Sequence, residues 1–169
     1  WYEEADAVVN ALKAMKLNIP IMHCEKKVGE GISKGNFDEA YHLFEINCRM
    51  ARELQANKLV VHLWDGRTSD LHFDNNAKAY AALSDIGREY DVDLLVENVV
   101  CICEDPMKRW CELADMYPDI HFVYDTKMAA FHGQVDLLYE KKYEWLWRKG
   151  HICHYHVNDY AGGYKEWTK

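Results

Sequence analysis

Five residues of this chain are suited to holding a divalent cation or moving a proton: His23, His62, Glu97, Asp125 and His156. Each lies at or near the end of a short apolar stretch with strand character. The clearest of these are Lys58-Leu-Val-Val-His-Leu-Trp64, Val92-Asp-Leu-Leu-Val-Glu97, Asp119-Ile-His-Phe-Val-Tyr-Asp125 and His151-Ile-Cys-His-Tyr-His-Val157. In a parallel α/β protein the carboxyl ends of the strands share one face, where active sites form. Neighbouring strands lie about 4.8 Å apart. Glu97, Asp125 and His156, on three consecutive strands, can therefore converge on one ion. A set of carboxylates and imidazole suits Mn²⁺, Mg²⁺ or Co²⁺, with Zn²⁺ as a further option.

Side-chain alternation supports this convergence. Glu97 shares a strand face with Leu95, Asp125 with Val123, and His156 with His154, while Leu94, Val96, Phe122 and Tyr124 face the other way. Each residue alone also has a plain structural reading. A strand-end histidine is more often a packed or hydrogen-bonded residue, and for His23 and His62 that reading weighs as much as the functional one. Asp125-Thr126 could cap the next segment, and Glu97-Asn98 could make a turn. It is their joint placement that favours chemistry.

The elements that must position these residues follow a regular cycle. A helical pattern runs from Trp1 to Lys16, then an extended stretch, Asn18-Ile-Pro-Ile-Met-His23. A glycine-containing loop (Gly29, Gly31, Gly35) leads to Asn36, placed as an N-cap with Glu39 three residues on, and to a helix from Phe37 to about Ala56. Further helices are expected over about 75–90, from Pro106 to about Met116, and as one long stretch from Val135 to Lys149 ending at Gly150. Five strands alternating with helices at roughly 30–40 residues imply parallel strands joined by right-handed crossovers. No G-x-G-x-x-G or G-x-x-x-x-G-K-[ST] follows a strand, so a nucleotide-binding open sheet lacks its signature. The remaining architecture is an eight-stranded barrel, which needs about 250 residues. The 169 residues therefore read as a single partial-barrel domain, truncated at both ends, with Trp1 not the natural start.

Composition narrows the function classes. Apolar residues make up 49% of the chain, the formal net charge is −8 and the pI is near 5.6. An acidic total argues against a phosphate-backbone binder. The apolar runs are too short to span a bilayer, and the acidic Trp1-Tyr-Glu-Glu-Ala start does not read as a signal peptide. Six cysteines without a secretion signal read as reduced and partly buried thiols of a cytoplasmic enzyme. Cys101-Ile-Cys103 lacks the spacing of a zinc knuckle.

The segments Val60-Val-His-Leu63, Leu94-Leu-Val-Glu-Asn98, Val123-Tyr-Asp-Thr126 and His154-Tyr-His-Val-Asn-Asp159, in this order, resemble the sugar phosphate isomerase/epimerase family of xylose isomerase-like TIM barrels. The resemblance covers nearly the whole chain as the family's second to sixth strands, with Ile21-Met-His23 as the second. It implies a metal held by Glu97, Asp125 and His156 and completed by a second Glu on a later strand, beyond Lys169. It departs from the family at three places. Met128 stands where members often carry a His, for which His132 nearby is a substitute. Cys103 stands where the ketose 3-epimerase branch has a substrate-binding Glu, and Gly162 where it has an Arg.

The implied activity is isomerisation or epimerisation of a sugar or similar hydroxy-carbonyl compound through an enediolate. A metal ion acts as Lewis acid, and Glu97 also moves the substrate proton in the epimerase version. His62, His23, His132 and Trp64 are candidate substrate-binding residues, and His154 a residue that orients His156. The expected partner is a small sugar, with no nucleic acid and no membrane, and a homo-oligomer remains open. On its own the partial barrel is expected to be inactive or nearly so. Two other readings stand beside this one. The chain also resembles the endonuclease IV type, a barrel that cuts DNA at abasic sites with three zinc ions, whose ligands His23, His62, Glu97, Asp125 and His156 match. A non-catalytic metal- or sugar-binding barrel is the third.

Overall fold

The computed structural model describes residues 4–160. Five short parallel strands form one sheet in chain order: β1 (Ile21–His23), β2 (Lys58–Val61), β3 (Asp93–Glu97), β4 (His121–Asp125) and β5 (Ile152–His156). Between them run α1 (Ala5–Ala14, before β1), α2 (Lys27–Lys34), α3 (Phe37–Glu53), α4 (Phe73–Glu89), α5 (Pro106–Met116), α6 (Thr126–Phe131) and α7 (Glu144–Arg148). This is the α/β partial barrel expected from the alternation. Among the described residues, no helix is long and apolar enough to cross a membrane.

Alternation along the strands sorts the sheet into two faces. Leu59, Val61, Leu94, Val96, Phe122 and Tyr124 join the main core under the helices. There Trp110 of α5 stacks on Phe122, with ring centroids 4.4 Å apart; burial of side chains this size contributes about 1.5–3 kcal/mol each. Val60, Leu95 and Val123 form a separate cluster on the other face, backed by Ile21 and Cys153. Their strand-mates Glu97 and Asp125 continue that inner face to the carboxyl ends. The register climbs along the sheet, pairing Glu97 with Val123 and Asp125 with His156, as the tilt of a barrel requires. A register shift at Phe122/Val123 re-aims the end of β5, as bulges do.

Three local expectations are overturned. The glycine-containing loop is the helix α2, in which Gly29 is fully helical and only Gly35, at φ +81°, leaves the helix. A Cβ on Gly29 would meet the His62 carbonyl oxygen at 2.1 Å, so the glycine lets α2 lie directly on the end of β2. Asn36 precedes α3 without a side-chain cap bond. The stretch expected as one helix from Val135 to Lys149 is broken into two 3₁₀ turns, Leu137–Tyr139 and Lys141–Tyr143, followed by α7. The break falls at Glu140, which is extended at ψ 136°, and Trp147 Nε1 donates across it to the Leu138 carbonyl. The N-terminal helical pattern is present as α1, and its part over 1–3 lies outside the described residues.

The Gly29 contact makes a stability prediction with a definite sign. By helix propensity alone Gly29→Ala would stabilise by about 1 kcal/mol. Overlap with backbone makes it destabilising instead, by about 1–3 kcal/mol net. A urea titration reads this as a lower midpoint at unchanged slope; a raised midpoint would remove the close packing of α2 on His62.

Candidate metal centre

The five residues singled out at the strand ends meet at one place. Glu97, 2% exposed, stands at the middle of the group and divides its two oxygens. Its Oε2 faces His23 Nε2 at 3.1 Å and His62 Nε2 at 2.9 Å. Its Oε1 faces His156 Nδ1 at 3.0 Å, and the same nitrogen lies 3.7 Å from Asp125 Oδ2. Two ligand groups result, Glu97–Asp125–His156 and His23–His62–Glu97, and within each the ligand atoms lie within 4.8 Å of one another. Atoms sharing an ion at about 2.0–2.4 Å stand about 3–4.5 Å apart, so small closures suffice. Two buried carboxylates with imidazoles suit a divalent cation in donor chemistry as well.

Each ligand is held from behind. Asp125, 4% exposed, caps α6, its Oδ1 accepting from the Lys127 and Met128 amides. Its Oδ2 is left for the centre and for Asn158 Nδ2 at 2.8 Å. The cap reading of Asp125 is therefore met by Oδ1, and Oδ2 stays available to the centre. Asn98 bridges β3 to β4: its Oδ1 accepts from the Asp125 amide and its Nδ2 donates to the Asp125 carbonyl. Thr126 Oγ1 accepts from the Asn158 amide at 2.9 Å. His23 Nδ1 sits 2.7 Å from the Cys24 carbonyl, which only accepts, so Nδ1 is a donor there. His62 Nδ1 lies 2.6 Å from Asp65 Oδ2.

The electrostatics follow from this packing. Burial pushes the Glu97 carboxyl up, but bonds from His23 and His62, the His62 charge and the His156 bond outweigh it and hold it well below the usual carboxylate range. Burial would depress His62, yet its bonds to Asp65 and Glu97 raise it to about 9. Asp125 is pushed up by burial and by the charge of Glu97, against the cap amides of Met128 and Lys127. A cation held by the two carboxylates would relieve that repulsion.

The remaining expected site residues are placed differently. Trp64 is fully buried. Its Nε1 donates to the Val99 carbonyl and its ring lies edge-on to Phe73, so it packs in the core instead of walling a pocket. His132, at the end of α6, accepts from the Cys101 amide at 3.2 Å; it braces the loop after β3 and does not join the cluster. His154 touches His156 ring to ring, centroids 5.2 Å apart, so it supports its neighbour by packing. Gly162 lies outside the described residues. Asp65, Asn98 and Asn158 were not singled out from the sequence, although the last two sit inside the motifs that carried the resemblance.

No protein-family model and no curated protein matches the sequence. Solved structures match it in fold. A D-tagatose 3-epimerase-like protein superposes with TM-score 0.62 at 16% identity, over 93% of this chain and 62% of its own. A xylose isomerase domain protein from Planctomyces limnophilus gives 0.63 at 9%, over 94% and 77%. The 3-keto-D-glucoside 4-epimerase from E. coli gives 0.61 at 11%, over 94% and 65%. The chain thus has the fold of xylose isomerase-like barrels and spans 62% of the first of these structures.

Proposed function

We propose that this chain is the metal-binding portion of a sugar isomerase or epimerase that moves a proton next to a carbonyl. The observation that carries the reading is the convergence of Glu97, Asp125 and His156 from three adjacent strand ends, on the fold of known sugar epimerases. Glu97, Asp125 and His156 hold the ion, and the resemblance adds a Glu from a later strand of the whole protein. The ion supplies Lewis acidity to a carbonyl and its neighbouring hydroxyl. Glu97 Oε2, turned away from His156, is the oxygen placed to take the substrate proton, giving an enediolate. His62 and His23, beside that oxygen, bind substrate hydroxyls. Asn98 and Asn158 keep Asp125 turned to the centre.

The test is a panel of hydroxy-carbonyl sugars with the whole protein and Mn²⁺ in D₂O. Deuterium is expected at the carbon beside the carbonyl of at least one sugar. No exchange with any sugar, despite bound metal, would leave a non-catalytic metal-binding barrel. A second reading is favoured by one observation: His23, His62 and Glu97 form a further ligand group sharing Glu97, as an endonuclease IV-type site requires. The net charge of −8 opposes it. Zinc-dependent cleavage of an abasic-site duplex, with no sugar exchange, would replace the isomerase reading by this one.

A further inference from the structure

We propose that Asn98 is a positioning residue that sets which ions the centre takes. Its carboxamide ties the main chain of Asp125 to the strand end that carries Glu97. The spacing of the two carboxylates is thereby fixed, and the centre favours Mg²⁺ and Mn²⁺ over the larger Ca²⁺. The proposal rests on the reading above in that it takes Glu97 and Asp125 to share one ion.

The need for such a tie comes from where the sheet ends. Main-chain pairing of β3 with β4 stops at Glu97 and Val123, yet β4 runs on to Asp125. On the far side Asp125 still pairs with His156 of β5. On the near side β3 departs. The Asn98 amide reaches the Val123 carbonyl at 3.4 Å, and the Val99 amide folds back on the Glu97 carbonyl at 2.8 Å in a tight turn. The last residue of β4, which carries a ligand, thus loses its neighbouring strand.

The Asn98 side chain takes that strand's place. Its Oδ1 accepts from the Asp125 amide at 2.6 Å, and its Nδ2 donates to the Asp125 carbonyl at 3.0 Å. An amide nitrogen donates and a carbonyl accepts, so the partners themselves fix which way the carboxamide faces. One donor and one acceptor are what a peptide group would offer there. Asn98 is 1% exposed, so water does not compete for these bonds. Aspartate at this position has no donor and adds a third buried carboxylate beside Glu97 and Asp125; glutamine is a methylene too long.

The stiffness reaches the ligand atoms. Asp125 Oδ1 is committed to the Lys127 and Met128 amides, so fixing the Asp125 main chain also fixes where Oδ2 points. Glu97 is joined to Asn98 directly and is buried as well. Mg²⁺ requires near-octahedral ligands at about 2.0–2.1 Å, whereas Ca²⁺ accepts irregular ones at about 2.3–2.6 Å. Carboxylates that cannot move apart favour the smaller ions, and a loosened pair admits both.

The test uses the whole protein, with Mn²⁺ titrated by calorimetry and Mg²⁺ and Ca²⁺ by competition against it. Asn98→Ala is expected to weaken Mn²⁺ and Mg²⁺ by about 10–100-fold. Ca²⁺ is expected to weaken by no more than about threefold, so the preference for Mg²⁺ over Ca²⁺ narrows by about tenfold. Trp64→Phe, altered in the core, is expected to keep the wild-type preference, which separates positioning from general loss of stability. Equal losses for Mg²⁺ and Ca²⁺ overturn the proposal, and so does Mn²⁺ affinity within about threefold of wild type. Asn98→Ser, small and uncharged, decides where Asn98→Ala does not fold; if neither folds, the residue serves the fold and the proposal falls. Failure of the isomerase reading appears separately, as a wild type that binds the ions with this preference and exchanges no sugar hydrogen. A wild type that binds no ion removes both.

Discussion

Glu97→Gln is expected to lower affinity for Mn²⁺ by well over 100-fold and to abolish exchange of substrate hydrogen, while leaving the partial barrel folded. Glu97 is the one residue common to both ligand groups, and both of its oxygens are committed to the centre. Glutamine keeps the volume but removes the charge and turns one oxygen into a donor. Loss of an outer-shell partner alone typically costs 10–100-fold in metal affinity or activity, so a bridging ligand must cost more. The fold should tolerate the change because the groups facing Glu97 are imidazoles, which can release a proton and avoid an uncompensated buried charge. The measurement is Mn²⁺ titration followed by calorimetry, with a urea midpoint alongside. An unchanged affinity would mean that the strand ends are a polar packing network, and the proposed function would go with it. Trp64→Phe serves as the contrast: its indole is in the core, so it should lower stability and spare metal affinity.

How much of this was legible in the sequence depends on which force decides each position. Strand parity was fully legible. A period of two places Leu95 and Glu97 on one face and Leu94 and Val96 on the other, and the two hydrophobic clusters divide in that way. The meeting of Glu97, Asp125 and His156 follows from the same parity plus parallel order. Local propensity, by contrast, misled at α2. Two glycines in eight residues argue against a helix at about 1 kcal/mol each. Tertiary packing reverses that, because only glycine fits where Gly29 meets the His62 carbonyl, and a Cβ at Gly31 would crowd the Ala40 Cβ at 3.2 Å. The break within 135–149 was hidden for a related reason: Leu138 and Leu146 both reach the core, and their eight-residue spacing also suits one helix. Trp64 and His132 were misplaced because a strand-end or loop position does not say which way a side chain turns. The partners that orient the centre, Asp65, Asn98 and Asn158, are common polar residues whose roles come only from contacts 27–33 residues apart or around a tight turn.

Asp70 was invisible for the same reason, and it makes the largest stability prediction. It lies in the loop between β2 and α4, fully packed at 1% exposure. Its carboxylate accepts from three successive amides, Ile102, Cys103 and Glu104, at 2.7, 3.0 and 3.2 Å. It also pairs with the Arg109 guanidinium at 2.8 Å, which in turn covers the Phe73 ring. One side chain thus ties the loop that leaves Glu97 to the loop that leaves His62. Asp70→Ala leaves three amides without their acceptor and the half-buried Arg109 guanidinium with Glu112 alone, and it is expected to cost about 3–5 kcal/mol of folding stability. Asp70→Asn, which retains one acceptor oxygen, should cost less. The sign with pH follows from the direction of its titration. Burial raises the Asp70 carboxyl, but the amide bonds of Cys103 and Ile102 and the Arg109 pair outweigh it and lower it below its ordinary value. A carboxyl lowered in the folded state adds stability that is complete above its unfolded value of about 3.9 and fades as pH falls through the folded one. Urea midpoints measured down through about pH 4 and below should therefore fall less steeply in Asp70→Asn than in wild type. Parallel curves, or an Asp70→Ala protein as stable as wild type at neutral pH, would show that the two loops are held by their apolar contacts and not by this carboxylate.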